Sequence, residues 1–250
     1  MNEQPLVEIL ANGNISASHR YKLMFVGESS WGALVRYELL TGLLGPLPGA
    51  LGYVLRGKCY RWLFQRMGPG SVIGRSVTLR CPGRITLGTG VMIDDYVVLD
   101  AKGVTSQVTL GDQVLVGRNS ILSCNEASIQ IGDFVSIGPF CHFAAKGRLA
   151  IGSNVSIGSG AQLLAGSHES SDPNTPVIRQ KRVAEGITVE SDVWIGTAAT
   201  ILDGVTVGRG SIVGASSVVN KDVPAGAVVL GNPARVIQNR QKASTHENGR

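Results

Sequence analysis

Residues 189–219 read VESDVWIGTAATILDGVTVGRGSIVGASSVV. Within this stretch Val189, Ile195, Ile201, Val207, Val213 and Val219 recur at a spacing of six, and Val193, Ala199, Val205, Ser211 and Ser217 stand four residues after the first five of them. Such a period fits neither the face of an amphipathic helix nor the alternation of a half-buried strand. It suits a chain that turns a corner every six residues, so that three repeats complete one triangular coil. The recurring aliphatic then fills a narrow interior, and each coil extends a parallel ladder from the one before.

The period extends towards the N-terminus in shorter runs: Ile73, Leu79, Ile85; Leu87, Ile93, Leu99; Leu110, Val116, Leu122; Ile131, Ile137, Phe143; and Ile151, Ile157, Leu163. Glycine follows many of these aliphatics, as in Ile73-Gly74, Leu110-Gly111, Ile131-Gly132, Ile151-Gly152 and Ile195-Gly196. Its expected role is to permit unusual backbone angles at the corners. The longest break in register is the 26 residues from Leu163 to Val189, a Ser-, Pro-, Asp- and Asn-bearing segment that reads as an extruded loop over 164–187. Loops on a rigid scaffold are where functional residues concentrate.

Three segments are expected: a helical segment over 1–70, the repeats over 71–233, and a short helix with a tail over 234–250. In the first, Trp31–Leu44 reads as a helix with Ser30 as N-cap, stopped by Gly45-Pro46. A second helix is expected from about Ala50 to Met67. This apolar stretch carries Arg56, Lys58, Arg61 and Arg66; it reads either as a cap on the β-helix or as a peripheral contact of residues 30–66 with an anionic membrane.

Composition narrows the class. Hydrophobic residues make up 43% and charged residues 16%, which disfavours disorder except at the ends. The net charge of +5 is too mild to indicate a nucleic-acid partner. Cys59, Cys81, Cys124 and Cys141 form no CxxC pair, and the N-terminal MNEQPLVEIL is acidic where a signal peptide is basic. A reducing, cytoplasmic setting is expected, either free or peripheral at the inner face of the membrane.

The repeats, the loop sequence GSHESSDPNTP (166–176) and the run VWIGTAATILDGVTVGRGSIVGASSVVNKDVPAGAVVLGNPARVI (193–237) together resemble the hexapeptide-repeat O-acetyltransferases, chiefly those modifying sugars and surface polysaccharides. The resemblance covers about residues 70–240. It implies an all-β, left-handed parallel β-helix, a handedness opposite to that of ordinary parallel crossovers, and a homotrimer with sites at its interfaces. It further implies acetyl-CoA or another acyl-CoA as co-substrate, with no tightly bound cofactor and no metal, and acyl transfer to a sugar or glycan-precursor hydroxyl.

By the same resemblance His168 is the catalytic base, because a hydroxyl attacking a thioester needs a positioned imidazole to take its proton. Glu169, Asp172 or a backbone carbonyl is expected to orient the ring. His142 matches loosely a polar acceptor-binding position. Gly196, Thr197 and Ala215 match contacts to the pantetheine arm; Asn220 and Lys221 match a Thr-Lys pair beside the cofactor phosphates; Arg235 matches a cation near the adenosine phosphate. Asn220 and Ser216 depart from the usual Thr and Gly. Trp194 reads as a packing residue at a corner, and the cysteines as small core or surface residues. The alternatives are N-acetylation of an amino sugar nucleotide and a non-catalytic repeat scaffold. A γ-type carbonic anhydrase needs three zinc-binding histidines, and the repeats supply two.

Overall fold

The computed structural model describes residues 16–28 and 30–240. From Arg66 onward the chain winds as a triangular solenoid, its strands falling into two seven-stranded parallel sheets and one of nine strands, whose last pair is antiparallel. The first coil is β1 (Arg66–Met67), β2 (Val72–Ile73) and β3 (Thr78–Arg80), and each contributes to a different sheet. About seven turns follow one another, as expected for the left-handed parallel β-helix of hexapeptide repeats. Ile195, Ile201, Val207 and Val213 are completely buried, stacked on the equivalent aliphatics of the coils beneath.

The recurrent glycines serve a purpose different from the one expected. Gly74, Gly111, Gly132, Gly152 and Gly196 do not adopt positive φ. At the corners that region is occupied largely by other residues, among them Ser76, Tyr96, Asn119, Asn154, Ala198 and Ser216. The glycines stand where a side chain would strike the next coil. A Cβ on Gly196 would lie 2.5 Å from the Ala215 nitrogen, and one on Gly158 would lie 2.5 Å from the Thr197 nitrogen. Close stacking, not unusual backbone angles, demands glycine there.

N-terminal to the solenoid lie α1 (Ala17–Tyr21), a single π-helical turn, α2 (Trp31–Leu44) and α3 (Gly49–Cys59). Ser30 caps α2 as expected, its hydroxyl accepting from the Ala33 amide at 3.5 Å. The second helix is shorter than expected. It ends in a 3-10 turn at Tyr60–Trp62, because the Gln65 amide donates to the Ile85 carbonyl and Arg66–Met67 pairs with Thr86–Leu87. The coil therefore begins at Arg66, ahead of residue 71.

Arg56 is not a surface cation. Its fully buried guanidinium donates to the carbonyls of Leu44 (2.8 Å), Leu47 (2.7 Å) and Ile73 (2.9 Å). It thereby satisfies orphan carbonyls at the end of α2 and ties both helices to the first coil. The α2 helix is largely apolar, with Arg36 and Glu38 as its charged residues, both exposed. One face buries Ala33 and Tyr37, while Trp31, Val35, Leu39 and Leu43, spaced by four, form an exposed stripe. No helix among the described residues is long and apolar enough to cross a membrane.

At the other end, the expected short helix is replaced over Ala234–Asn239 by a strand, antiparallel to Ala227–Gly231. The β-branched Val236 and Ile237 favour extended backbone, and the last strand of the solenoid offers an open edge that a helix would leave unpaired. Residues 241–250, the rest of that expectation, lie outside the described residues, as do residues 1–15.

The close stacking has a measurable consequence. Gly158→Ala should lower unfolding stability by about 2 kcal/mol, since backbone cannot yield as a side-chain tip can. Gly42→Ala, on α2 with open space around it, should be neutral or stabilising by up to about 1 kcal/mol. Denaturant melts of both variants test the contrast.

Candidate active site

The coil ending in the strand Gln162–Ala165 does not close directly. At Gly166 the chain leaves the solenoid and forms a short antiparallel pair, Ser167–His168 against Arg182–Val183, in which His168 faces Arg182. The loop tip is held internally: Gln180 Nε2 donates to the carbonyls of Asp172 and Thr175, each at 2.8 Å. The chain re-enters at Gly186, where φ is +95° and a Cβ would sit 2.5 Å from the Arg148 carbonyl oxygen. Ile187–Val189 then pairs with Leu149–Ile151, so the coil closes beneath the loop in unbroken register.

His168 stands in a cleft of about 340 Å3. Ala144, Leu164, Gly166 and Ser167 line it together with Lys146 and Arg182. His168 Nδ1 is buried and has no hydrogen-bond partner. The expected orienting carboxylates do not supply one. Glu169 is exposed and its amide donates to the Lys181 carbonyl at 2.9 Å, while Asp172 accepts from the Asn174 amide at 2.9 Å within the loop tip. Both acids serve, or flank, the loop's own backbone, which leaves neither on the ring.

Two cleft residues were missed in the sequence. Lys146 immediately follows the strand His142–Ala145, and Ala145 pairs with Ala165, so extending the register would have placed Lys146 at the corner where the loop departs. Arg182 depends on the hairpin pairing, for which the six-residue period carries no signal. His142 shares the outer face with Ala144 but pairs with Gln162 and Ile121, outside the cleft lining.

The residues expected at the cofactor fall into two groups. Gly196, Thr197 and Ala215 share one corner of adjacent coils, with the Ser216 amide donating to the Thr197 carbonyl at 2.8 Å. Ser216 holds φ at +56°, which explains why glycine is comfortable at that position. Asn220 and Lys221 lie at the next corner, both exposed. Lys221 and Arg235 line a common cleft of about 240 Å3 with Asp222, whose carboxylate accepts from the Thr206 amide at 2.7 Å; Asn220 is not in that lining. Within one chain, Thr197 and Ala215 occupy the corner leading into the third sheet, the seven-stranded one that contains β3, whereas His168 and Lys221 occupy corners leaving it.

Other features lie apart. Trp194 is not packed as expected but 55% exposed, because it occupies an outward position of its strand beside the buried Ile195. Cys81, Cys124 and Cys141 are buried, and burial pushes the thiols of Cys81 and Cys124 up to about 11. Another cleft, of about 550 Å3, lies on the outer face of the first sheet, where Thr109, Gln130, Arg148, Thr188 and Arg209 contribute to its lining; it contains none of the expected site residues. Among the described residues no three His, Cys, Asp or Glu side chains converge as a metal site.

Comparison with known proteins bears on this geometry. The bacterial transferase hexapeptide family (six repeats) matches residues 186–221. A probable acetyltransferase of Mycobacterium tuberculosis is 28% identical over 159 residues, covering 64% of this chain and 51% of that protein. A 2,3,4,5-tetrahydropyridine-2,6-dicarboxylate N-acetyltransferase of Staphylococcus aureus is 46% identical over 87 residues, 35% of this chain and 31% of that protein. The chain thus spans about half of the first relative's length and a third of the second's. Among solved structures, a mutant of AntD, an N-acyltransferase from Bacillus cereus in complex with dTDP and coenzyme A, superposes with a TM-score of 0.52 at 24% identity, over 76% of this chain and 91% of that one. That likeness establishes the fold.

Proposed function

We propose that this chain is an acyl-CoA-dependent acyltransferase that transfers the acyl group, acetyl in the simplest case, directly to a sugar or glycan-precursor hydroxyl. The observation that carries the reading is the cleft where the coil breaks. It sets an imidazole with a buried, unpartnered nitrogen beside two cations, on a scaffold whose next two coils match the hexapeptide transferases.

His168 takes the proton of the acceptor hydroxyl as its oxygen attacks the thioester carbonyl. Collapse of the tetrahedral intermediate breaks the carbon–sulfur bond, and the imidazolium returns the proton to the departing thiolate. Thr197 and Ala215, at an exposed corner with small side chains, suit an extended pantetheine arm. Lys221 and Arg235, sharing one cleft, suit its phosphates through charge-assisted hydrogen bonds. Because the corner of Thr197 and the corner of His168 lie on opposite edges of the third sheet, a site using both is best completed by a neighbouring copy. A homotrimer provides that arrangement.

Transfer to an amine is the second reading, supported by the N-acetyltransferase and N-acyltransferase similarities. A peripheral membrane contact through residues 30–66 is supported by the exposed stripe of α2, by the exposed Leu51, Val54 and Trp62, and by the exposed cations Arg36, Lys58, Arg61 and Arg66. On the same segment the acid Glu38 accepts from Tyr21 Oη.

Incubation with acetyl-CoA and paired hydroxyl and amine acceptors should release free thiol. His168→Ala should lower kcat at least about a hundredfold and leave the coenzyme A Kd nearly unchanged; retained activity would place the base elsewhere. Combined Lys221→Gln and Arg235→Gln should weaken coenzyme A binding by about tenfold or more in calorimetry, and an unchanged Kd removes the phosphate assignment. The full chain should co-sediment with anionic vesicles at low salt and be released as salt rises, with Leu39→Glu abolishing binding; equal recovery from neutral vesicles refutes the electrostatic contact.

A further inference from the structure

The cleft at His168 is electrostatically unbalanced, and the imbalance speaks to what the acceptor carries. Lys146 and Arg182 face the same cavity, and among the described residues neither makes an ion pair. No carboxylate lines that cavity. Glu169 follows His168 on the extended hairpin, where successive side chains point to opposite faces.

A neighbouring cation is treated differently. Lys102 occupies the equivalent corner two coils earlier, next to Asn125 in the ladder that continues towards Lys146. There the chain provides its own counter-ion: the buried Asp100 carboxylate lies 3.0 Å from Lys102 Nζ. The ladder thus pairs Lys102 with its own carboxylate, whereas among the described residues neither cation beside His168 has an ion pair, and Asp100 acts on Lys146 only from a distance. The side chains of Lys146 and Arg182 are both exposed, and like charges crowded at one cleft repel each other unless an anion offsets them.

Lys146 is also held in place. Gly166 lies directly over it, and a Cβ there would come within 2.6 Å of Lys146 Cβ. The glycine where the loop departs therefore makes room for the lysine stem at the mouth of the cleft. Loss of solvent lowers the Lys146 pKa, and the charges of Arg182 and Lys102 lower it further. The negative charge of an anion between the cations acts in the opposite direction and offsets the repulsion of Arg182 and Lys102. Polar capacity remains besides, since His168 Nδ1 is buried without a partner.

We propose that the acceptor carries an anionic group, a carboxylate or a phosphate, which Lys146 and Arg182 hold so that its neighbouring nucleophile reaches His168. The proposal rests on the acyltransferase reading for what happens next, but the anion site itself is a property of the cleft. The phosphates of coenzyme A are the competing occupants, and they are removed from consideration by working with that site already filled.

Full-length protein saturated with coenzyme A is titrated by NMR with glucose, glucose 6-phosphate and glucuronate. At least one anionic probe should bind about tenfold or more tightly than glucose, and weaken as salt rises. Binding of phosphate alone, or of carboxylate alone, identifies which group the site takes. Lys146→Gln and Arg182→Gln should each weaken the anionic probe by about fivefold or more and leave the coenzyme A Kd unchanged, while Lys146→Arg keeps most of the binding. The proposal is overturned if both anions bind no better than glucose, or if the Gln variants bind them as the parent does. Loss of coenzyme A affinity in those variants likewise overturns it, by assigning the cations to the co-substrate. Tight anion binding without thiol release from any acceptor would defeat the acyltransferase reading and leave the anion site standing; thiol release with neutral glycosides alone would do the reverse.

Discussion

Adjacent coils of this protein lie so close at certain corners that backbone meets backbone with no space for a Cβ between them. At Gly158 and Gly196 the hypothetical atom would sit 2.5 Å from the amide nitrogen of the next coil. This single steric condition fixes where each coil sits on the last, and the rest of the molecule inherits its geometry. With the rise set, the parallel ladder keeps its register, and Ile157, Ile195 and Val213 stack as one interior column. The core is correspondingly narrow, filled by pairs of small or aliphatic residues such as Ile187 and Val189 or Val205 and Val207 on a side, and aromatic residues make up only 5% of the chain.

Such a scaffold tolerates interruption only if the coil can still close. The excursion at 166–186 meets that requirement with a glycine at each neck. Gly166 passes over the Lys146 stem and Gly186 passes under the Arg148 carbonyl. The ladder continues from Ile151 to Val189 as though nothing had been inserted. A loop anchored in this way is positioned by rigid structure on both sides, which suits the precise placement a catalytic base needs. The paired hairpin residues bring Arg182 across from His168, and the ladder brings Lys146 up from the coil before. The chemistry of the cleft is thus assembled from three distant parts of the chain.

The helical segment is joined to the solenoid by a different means. Arg56 gathers carbonyls from the end of α2, the following turn and the first coil, and Tyr37 donates to the Leu79 carbonyl at 2.7 Å. These bonds seal one end of the solenoid, which would otherwise expose an unpaired ladder edge. The opposite end is sealed by the antiparallel strand Ala234–Asn239. Only the inner face of α2 is used for sealing, and its outer apolar stripe is exposed.

The six-residue period alone determined the solenoid, its boundary to within about five residues at the N-terminal side, and the location of the extruded loop, because an inward aliphatic that recurs once per side imposes a strict spacing that survives in a single sequence. It also displayed the glycines, yet their meaning was legible only in three dimensions: steric exclusion arises from the neighbouring coil, and that coil is invisible in a local window. The same reason hid Arg182, whose place depends on a hairpin pairing, and the burial of Arg56, whose partners are carbonyls without sequence signature. It hid the terminal strand, since an open sheet edge is a tertiary feature that overrides a local helical reading. His168 stood out in the sequence by lying in the longest break of the period; that it shares its cleft with two uncompensated cations, and with neither acid of its own loop, was decided by the tertiary structure, because charge balance is a matter of proximity rather than order along the chain.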